Sequence, residues 1–489
     1  MLKKITLENF KAFKKVEIEV KPITILIGPN NGGKTSILQS IGLLKQTVTS
    51  NSENIIKFRG DIDLGNFQNI LSQHSDSDEI RFNIEFDDDS SFDFNIISNK
   101  NGVQVKNFAC DNGEFSYSIK NITLQSENAK DMDKYNYEDI EFDISKKSSL
   151  FEVLNFKDQS QDQMNFDVFT QNLKKLLKKS HPKIFRENFI FGFGIDLSAN
   201  SEFSSFIKST YQLLEQSESK VDVGTRDGNE KIIFKQKRAY FLINFLLNMQ
   251  FETLNYNKRL KKKFERISYL GPIRYPPRRF YDIGKFKNCG YYGEHYASVL
   301  ADNERIFKST KKVLLDWNVL KDLVINRDID KKIIELKVKT DITENEVNIS
   351  DVGFGTSQIL PIIVESLLSP PDSLILIEQP ETHLHPKIQQ DFTEFIVKLS
   401  KKKNFLIETH SSYIIERLRT LIMKNRISPD NVKIYYVEQN EDKESSIIQE
   451  IKIDIFGRYS NLPPNYLCHF GVREKDDQMK IFLKKSKGD

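Results

Sequence analysis

The sequence predicts an α/β fold that carries an antiparallel β subdomain and a helical insertion. Three observations predict it. The apolar run Ile23–Ile27 leads directly into a glycine-rich loop and then a helical pattern. A second apolar run, Leu374–Ile377, closes on the carboxylate of Glu378, and between the two the stretch from Ile80 to Ile122 alternates apolar with polar residues. Continuous apolar runs mark strands buried on both faces of a parallel sheet, whereas alternation marks strands with one wet face.

Taken from the start, Met1–Phe10 alternates like a strand, and Val16, Ile18 and Val20 alternate with Glu17, Glu19 and Lys21. After Ile23–Ile27 comes Gly28-Pro29-Asn30-Asn31-Gly32-Gly33-Lys34-Thr35, a full G-x-x-x-x-G-K-[ST] match, and a helix begins near Thr35 with Ile37, Leu38, Ile41 and Leu44 on one side. Glycines let the backbone wrap a phosphate with its N–H groups inward, and the helix N-terminus adds a positive dipole end. Lys34 supplies a charge for the β- and γ-phosphates and Thr35 a hydroxyl for Mg2+. Asn30, Asn31, Gly32, Gly33, Lys34, Thr35 and Ser36 are therefore candidate nucleotide-binding residues.

Alternation at Ile80, Phe82, Ile84 and Phe86, and again at Phe115, Tyr117 and Ile119, places an antiparallel subdomain within a lobe spanning 1–125. From 126 to 265 the pattern turns helical: Phe166, Phe169, Leu173 and Leu176 recur at helical spacing, as do Phe203, Phe206, Ile207 and Tyr211. No heptads are sustained, so a long coiled coil is not expected. Strands return near Ile267–Leu270 and Ile334–Val338 in a second lobe spanning 266–440, and a charged tail containing Pro463-Pro464 occupies 441–489.

Three further segments carry chemistry. Leu374–Glu378 reads as a buried strand whose terminal acid lies beside the phosphate loop, so Glu378 is a candidate Mg2+ carboxylate; Gln379 and Glu381 follow it directly. Phe405–Ser411 presents His410 at another strand end, where it could meet a γ-phosphate. Ser350-Asp351-Val352-Gly353-Phe354-Gly355-Thr356-Ser357-Gln358 precedes a helix with Pro361 in its first turn, which makes a second phosphate-binding helix end.

The 489 residues suffice for two to four domains, and 29% charged against 38% hydrophobic residues describes a soluble globular protein. A net charge of +3 gives no general argument for nucleic acid, so a DNA surface would need local clusters. Candidates are Lys174-Lys175 with Lys178-Lys179, then Lys258, Arg259 and Lys261–Lys263, and finally Arg278-Arg279, where the neighbouring Phe and Tyr read equally well as core. Three scattered cysteines, Cys110, Cys289 and Cys468, suit a reducing cytoplasm and offer no CxxC zinc pair. No run is long and apolar enough to span a membrane, and the N-terminus lacks a signal-peptide core.

In this order the elements resemble the ABC-type ATPases that include SMC heads, double-strand-break repair heads and the OLD-like family. The resemblance implies an ABC/SMC-type P-loop head with ATP and Mg2+ as cofactors. Leu7-Glu8-Asn9-Phe10-Lys11-Ala12-Phe13 resembles the opening segment that sits near the adenine, which implies nucleotide contacts for Asn9 and Lys11. The segment Ser350–Gln358 is similar to the signature motif, which in that family reaches the γ-phosphate held by the opposite subunit. This implies a head-to-head homodimer or higher oligomer, with Ser350, Gly353, Gly355, Thr356, Ser357 and Gln358 acting in trans. His383-Leu384-His385-Pro386 matches the D-loop, Thr409-His410-Ser411 the switch histidine, and Gln68 is a candidate for the metal-contacting glutamine. With Tyr269-Leu270-Gly271-Pro272-Ile273-Arg274-Tyr275-Pro276-Pro277, these segments look like the ATPase subunits of bacterial Septu anti-phage systems, also found beside retrons. That likeness implies a separately encoded HNH nuclease as partner.

One departure from the ABC pattern matters for rate. The residue after the Mg2+ carboxylate is normally a glutamate that activates water, and here it is Gln379. An amide orients water but takes no proton, and general-base assistance is worth roughly 10²–10⁴-fold. Slow hydrolysis is expected unless Glu381 or His410 serves as base. Val437-Glu438 has the look of a Toprim strand end, but the remaining length favours a last strand and hairpin. The alternative to a switch ATPase is a RecF-type repair ATPase acting directly on DNA. A transporter ATPase subunit is disfavoured by the large insert.

Overall fold

The computed structural model describes residues 1–50, 56–73, 77–99, 102–111, 115–120, 141–146, 258–340, 345–442 and 444–463. The chain opens with strands β1 (Leu2–Phe10), β2 (Phe13–Glu19) and β3 (Ile23–Ile27), then helix α1 (Lys34–Thr49) and the short α2 (Phe67–Ile70). Strands β4 (Glu79–Phe86), β5 (Ser91–Asn99), β6 (Gly102–Asp111), β7 (Phe115–Lys120) and β8 (Glu141–Lys146) follow. After residues 258–265, which are helical, come β9 (Ile267–Leu270), β10 (Tyr281–Asp282), α3 (Tyr296–Asp302), α4 (Glu304–Asp316), β11 (Asp322–Asp328), β12 (Ile333–Lys339) and β13 (Val347–Asn348). The last part comprises α5 (Phe354–Leu368), β14 (Leu374–Glu378), α6 (Pro386–Leu399), β15 (Asn404–Glu408), α7 (Ser412–Met423), β16 (Val432–Gln439), β17 (Ser446–Ile453) and β18 (Tyr459–Ser460).

The central sheet has the order β18-β17-β16-β3-β15-β14-β9, and from β16 to β9 every pairing is parallel. Its inner strands are buried on both faces, which is why they read as nearly continuous apolar runs, broken in β3 only by the buried Thr24. The two-residue period sorts them cleanly. Leu26, Leu374, Leu376 and Leu406 face one core, with α1 and the antiparallel subdomain. Ile23, Ile25, Ile27, Ile375, Ile377, Phe405 and Ile407 face the other, with α3 to α7.

The antiparallel sheet runs β2-β1-β4-β5-β6-β7-β8, and Ile80, Phe82, Ile84 and Phe86 of β4 are buried as their alternation predicts. The predicted class, an α/β P-loop head with an antiparallel β subdomain, is the one observed. Two boundaries move. The antiparallel sheet continues past 125, because β8 pairs with β7 inside the expected insertion. The expected tail from 441 begins inside the central sheet, where β17 lies antiparallel to β16 and buries Ile451 and Ile453. The hairpin at Val437-Glu438 is thus the observed one. Apart from β8, the predicted helical insertion falls outside the described residues up to 257, as do Lys174-Lys175 and Lys178-Lys179.

Pro361 also differs from expectation. It stands in the middle of α5 rather than in its first turn, because the helix begins at Phe354 behind the N-cap Gly353. No described helix is long and apolar enough to cross a membrane.

Candidate active site

Loop 28–33 is squeezed between β16 and β2, and its glycines are there for space as well as for backbone freedom. Gly28 has φ +142°, and a Cβ on it would lie 2.0 Å from the Val437 carbonyl oxygen. Gly33 has φ +99°, and its Cβ would press to 3.0 Å on the Phe13 ring. No L side chain suits either position. Gly33 is the N-cap of α1, so the free N–H groups and positive dipole end of that helix open onto the loop.

Lys34 Nζ donates to the carbonyls of Gly28 and Pro29, at 3.1 and 2.7 Å. Burial lowers its pKa, and the carboxylates of Glu408 and Glu381 oppose that shift. Thr35 Oγ1 donates to the Glu408 carboxylate, at 2.8 and 3.0 Å from its two oxygens. Burial raises the Glu408 pKa, with the Thr35 hydrogen bond and Lys34 charge pulling the other way.

These groups bound a cavity of about 670 Å³, within the range of small-molecule sites. Of the residues singled out in the sequence, Asn30, Asn31, Gly33, Lys34, Thr35, Ser36, Gln379 and His410 line it, and Ala12 and Glu408 join them. Gly32 stands behind the lining, where its Cβ would meet the Val437 carbonyl oxygen at 2.5 Å.

Several predicted residues fall elsewhere. Strand β15 lies between β3 and β14, so Glu378 sits one strand further from the loop than expected and Glu408 takes the adjacent strand end. The Glu378 carboxylate accepts hydrogen bonds from Tyr269 at 2.6 Å and Tyr291 at 3.3 Å, and burial pushes its pKa up to about 7. Glu381 is bound by the Thr409 hydroxyl (2.7 Å) and the His410 backbone N–H (2.6 Å), which ties it to the switch segment rather than the cavity. Asn9 holds the Glu79 carbonyl at 3.0 Å, and Lys11 reaches Gln39 of α1 at 2.5 Å; neither lines the cavity. Gln68 is exposed, because α2 buries Phe67 and Ile70 and turns the glutamine away.

The signature segment divides in two. Gly353 is exposed and Ser350, Gly355 and Thr356 are partly so, whereas Ser357 and Gln358 are buried. A helix face packed on its own core is not available to a second molecule. The serine of the segment lies in the turn before the helix, where the Ser350 hydroxyl donates to Asn348 Oδ1 at 2.9 Å, and the N-cap itself is Gly353. None of the segment lines the cavity. A Cβ on Gly355 would come within 2.9 Å of the His383 carbonyl oxygen, so the helix start abuts the D-loop of its own chain.

The donor set suits Mg2+. Two neighbouring ligands of an octahedral Mg2+ stand about 2.9 Å apart, the spacing of a right-angled pair at metal–oxygen distances of about 2.05 Å. Thr35 Oγ1 and the nearer Glu408 oxygen are 2.8 Å apart. Among the described residues no cluster of three or more His, Cys, Asp or Glu side chains could hold an ion by itself.

A strand, a glycine loop and a helix border a cavity of small-molecule size, and an interposed strand brings an acid to the loop's threonine; this is the site of a P-loop nucleotide-binding protein. The family model of the AAA ATPase domain matches residues 1–415, and the chain belongs to that family. It is 24% identical over 459 residues to Endonuclease GajA of Bacillus cereus (strain HuB5-5), an alignment covering 84% of this chain and 56% of that protein. It is 41% identical over 64 residues to the DNA replication and repair protein RecF of Staphylococcus haemolyticus (strain JCSC1435), covering 12% of this chain and 17% of that one. The chain thus spans little more than half the length of the first of these relatives. A crystal structure of the SmcHead bound to the C-winged helix domain of ScpA is similar at 10% identity and a TM-score of 0.44, covering 92% of this chain and 98% of that one.

Proposed function

We propose that the protein is a slowly hydrolysing ATPase switch in which two heads clamp nucleotide between the P-loop of one and the signature helix start of the other. The observation that carries this reading is the position of Gly353 and Gly355, accessible yet outside the cavity that their own chain's P-loop lines. A signature that cannot serve its own nucleotide must be supplied to another copy if it is used at all.

In this reading ATP lies along loop 28–33, with Lys34 on the β- and γ-phosphates. Thr35 and Glu408 hold Mg2+, which when bound shields the phosphate charge. Gln379 orients water through its amide without removing a proton. His410, at the cavity wall, meets the γ-phosphate. Glu378, held by two tyrosines and neutral over much of the acid range, supports the site from one strand away.

Nucleotide bound by the paired state drives pairing by mass action, by about 3 kcal/mol at a hundredfold excess over its dissociation constant. The Septu resemblance and the similarity to an endonuclease support a role in bacterial anti-phage defence, with pairing setting the activity of a separate HNH nuclease. Sedimentation with and without ATP and Mg2+, alone and with that nuclease, tests the reading. No change of size with nucleotide under any of these conditions would end it.

A RecF-like action directly on DNA is favoured by a different observation. Tyr275, Arg278, Phe280, Lys285, Phe286 and Lys287 are all exposed rather than core, and Arg278 lies over the Tyr275 ring. Exposed aromatic and basic residues in alternation suit single-stranded nucleic acid. Salt-dependent binding of oligonucleotides by the protein alone would support this second reading.

A further inference from the structure

Gln379 is a non-glycine residue with φ +44°, in the left-handed region that costs an L side chain energy. Strain of this kind persists only where neighbours over-determine it. Here the neighbours are countable. The Gln379 N–H donates to the Glu408 carbonyl at 2.8 Å, and its own carbonyl accepts from both the backbone N–H (3.3 Å) and the hydroxyl (3.0 Å) of Thr382. A third donor to that carbonyl comes from far along the chain. Arg274 Nη1 reaches it at 3.2 Å, while Arg274 Nη2 reaches the Glu378 carbonyl at 2.5 Å.

Arg274 is only 2% exposed, and its Nε is buried with no hydrogen-bond partner. A guanidinium so placed, with no carboxylate paired to it among the described residues, is expensive. Burial pulls its pKa down to about 10, and the charges of Glu381 and Glu378 only partly restore it. A smaller or neutral side chain could fill the space at less cost. The planar fork, however, meets two consecutive carbonyls of one turn with two nitrogens held in a fixed plane, which fixes the turn's orientation more tightly than a freely rotating ammonium does. The backbone of Arg274 is tied in the other direction, since its carbonyl oxygen accepts from the buried amide of Gln358 in α5 at 3.4 Å. Gly293, whose Cβ would strike Pro361 at 2.6 Å, seats the same stretch against the middle of that helix.

We infer that Arg274 is a positioning residue: it locks the strained Glu378–Gln379 turn that presents Gln379 to the cavity, and it joins that turn to the signature helix of the same chain. The inference rests on the ATPase reading of Gln379. It also gives Gln358 a role in cis in place of the one expected in trans. A displacement of α5 when its start engages a second head is passed through Gln358 and Arg274 to the residue that orients water. Each head's hydrolysis then responds to its use as a clamp for the other.

The test uses full-length protein carrying Arg274→Lys, which keeps charge and most of the volume, and Arg274→Ala. Three quantities are measured: single-turnover hydrolysis, affinity for Mg-ATP, and amide exchange of the 378–384 segment. The expected result is hydrolysis slowed about tenfold or more in Arg274→Lys with affinity changed less than about twofold, as for an interaction made in the transition state only. Amide exchange at 378–384 should quicken, and free guanidinium at non-denaturing concentration, but not ammonium, should restore hydrolysis in Arg274→Ala. Rate and affinity falling together without guanidinium rescue, or an unchanged rate, overturns the inference. If the wild type hydrolyses no ATP, the ATPase reading fails on its own, and exchange at 378–384 still decides: unchanged in Arg274→Lys, it refutes the positioning role.

Discussion

Thr35 Oγ1 lies 2.8 Å from one carboxylate oxygen of Glu408 and 3.0 Å from the other, so the hydroxyl behind the P-loop lysine is held by an acid from the neighbouring strand. The apolar run that ends in Glu378 has the same pattern as the one that ends in Glu408, yet only the latter reaches the cavity. Which acid reaches Thr35 is decided by strand order. β15 stands next to β3, and β14 does not.

The first prediction concerns that pair. Glu408→Gln keeps a hydrogen bond to Thr35 but removes the charge, so half-maximal hydrolysis should need about tenfold more Mg2+ or higher, the scale on which ion-site substitutions act. A Mg2+ titration of initial rate measures it. An unchanged midpoint would return the ion to Glu378.

The second concerns stability and pH. Burial raises the Glu378 pKa from the ordinary carboxylate value of 4.5 to about 7. A buried acid with a raised pKa favours the folded state while it is protonated in both states. The benefit is complete below about pH 4.5, declines as the unfolded chain ionises and the folded one does not, and is gone above about pH 7. The size is about 3 kcal/mol, at 1.36 kcal/mol per pKa unit. Glu378→Gln removes this dependence, so the variant should gain on the wild type between pH 5 and pH 7.5 in paired urea unfolding curves. Parallel curves at both pH values would contradict the assignment.

The third concerns Gln379. Supplying a carboxylate at this cavity-lining position restores a proton acceptor, and Gln379→Glu should speed single-turnover hydrolysis by about 10²-fold or more. No acceleration would mean that another group, His410 being the remaining titratable candidate at the cavity wall, already performs the proton transfer.

Much of this arrangement was legible in the sequence, and the parts that were not share a cause. The P-loop was readable because its chemistry is local: glycines, lysine and threonine must be adjacent to wrap one phosphate. Strands β3, β14 and β15 were readable because burial on both faces leaves few polar positions: Thr24 inside β3, and Asn404, Glu378 and Glu408 at strand ends. Which strands become neighbours is not local, and so the interposed β15 and the contact of Glu408 with Thr35 stayed hidden although the acid itself was in plain view. The burial of Gln358 was hidden for a related reason. A helix start shows its residues in order, but which of them face the core depends on β9 and the Arg274 segment packed beneath it. The aromatic residues near Arg278 were ambiguous because composition alone does not separate an exposed Phe280 from a buried Tyr281; the structure places them at 53% and 7% exposure.

The last prediction separates pairing from folding. Most signature residues are poor probes, because Ser357 and Gln358 support their own core and Gly355 abuts the His383 carbonyl. Gly353 is different. It is exposed, its φ is −58°, and a Cβ placed on it meets nothing within 4 Å. An arginine there adds bulk and charge toward solvent at the cost of no contact in the single head, and losing the glycine N-cap costs about 1 kcal/mol. Gly353→Arg should therefore still fold cooperatively and melt within a few degrees of the wild type while losing the increase in size on adding ATP and Mg2+. Loss of both would mark Gly353 as structural. Survival of the ATP-driven size change in a normally folded Gly353→Arg would show that the heads meet through some other surface, and the clamp would have to be abandoned.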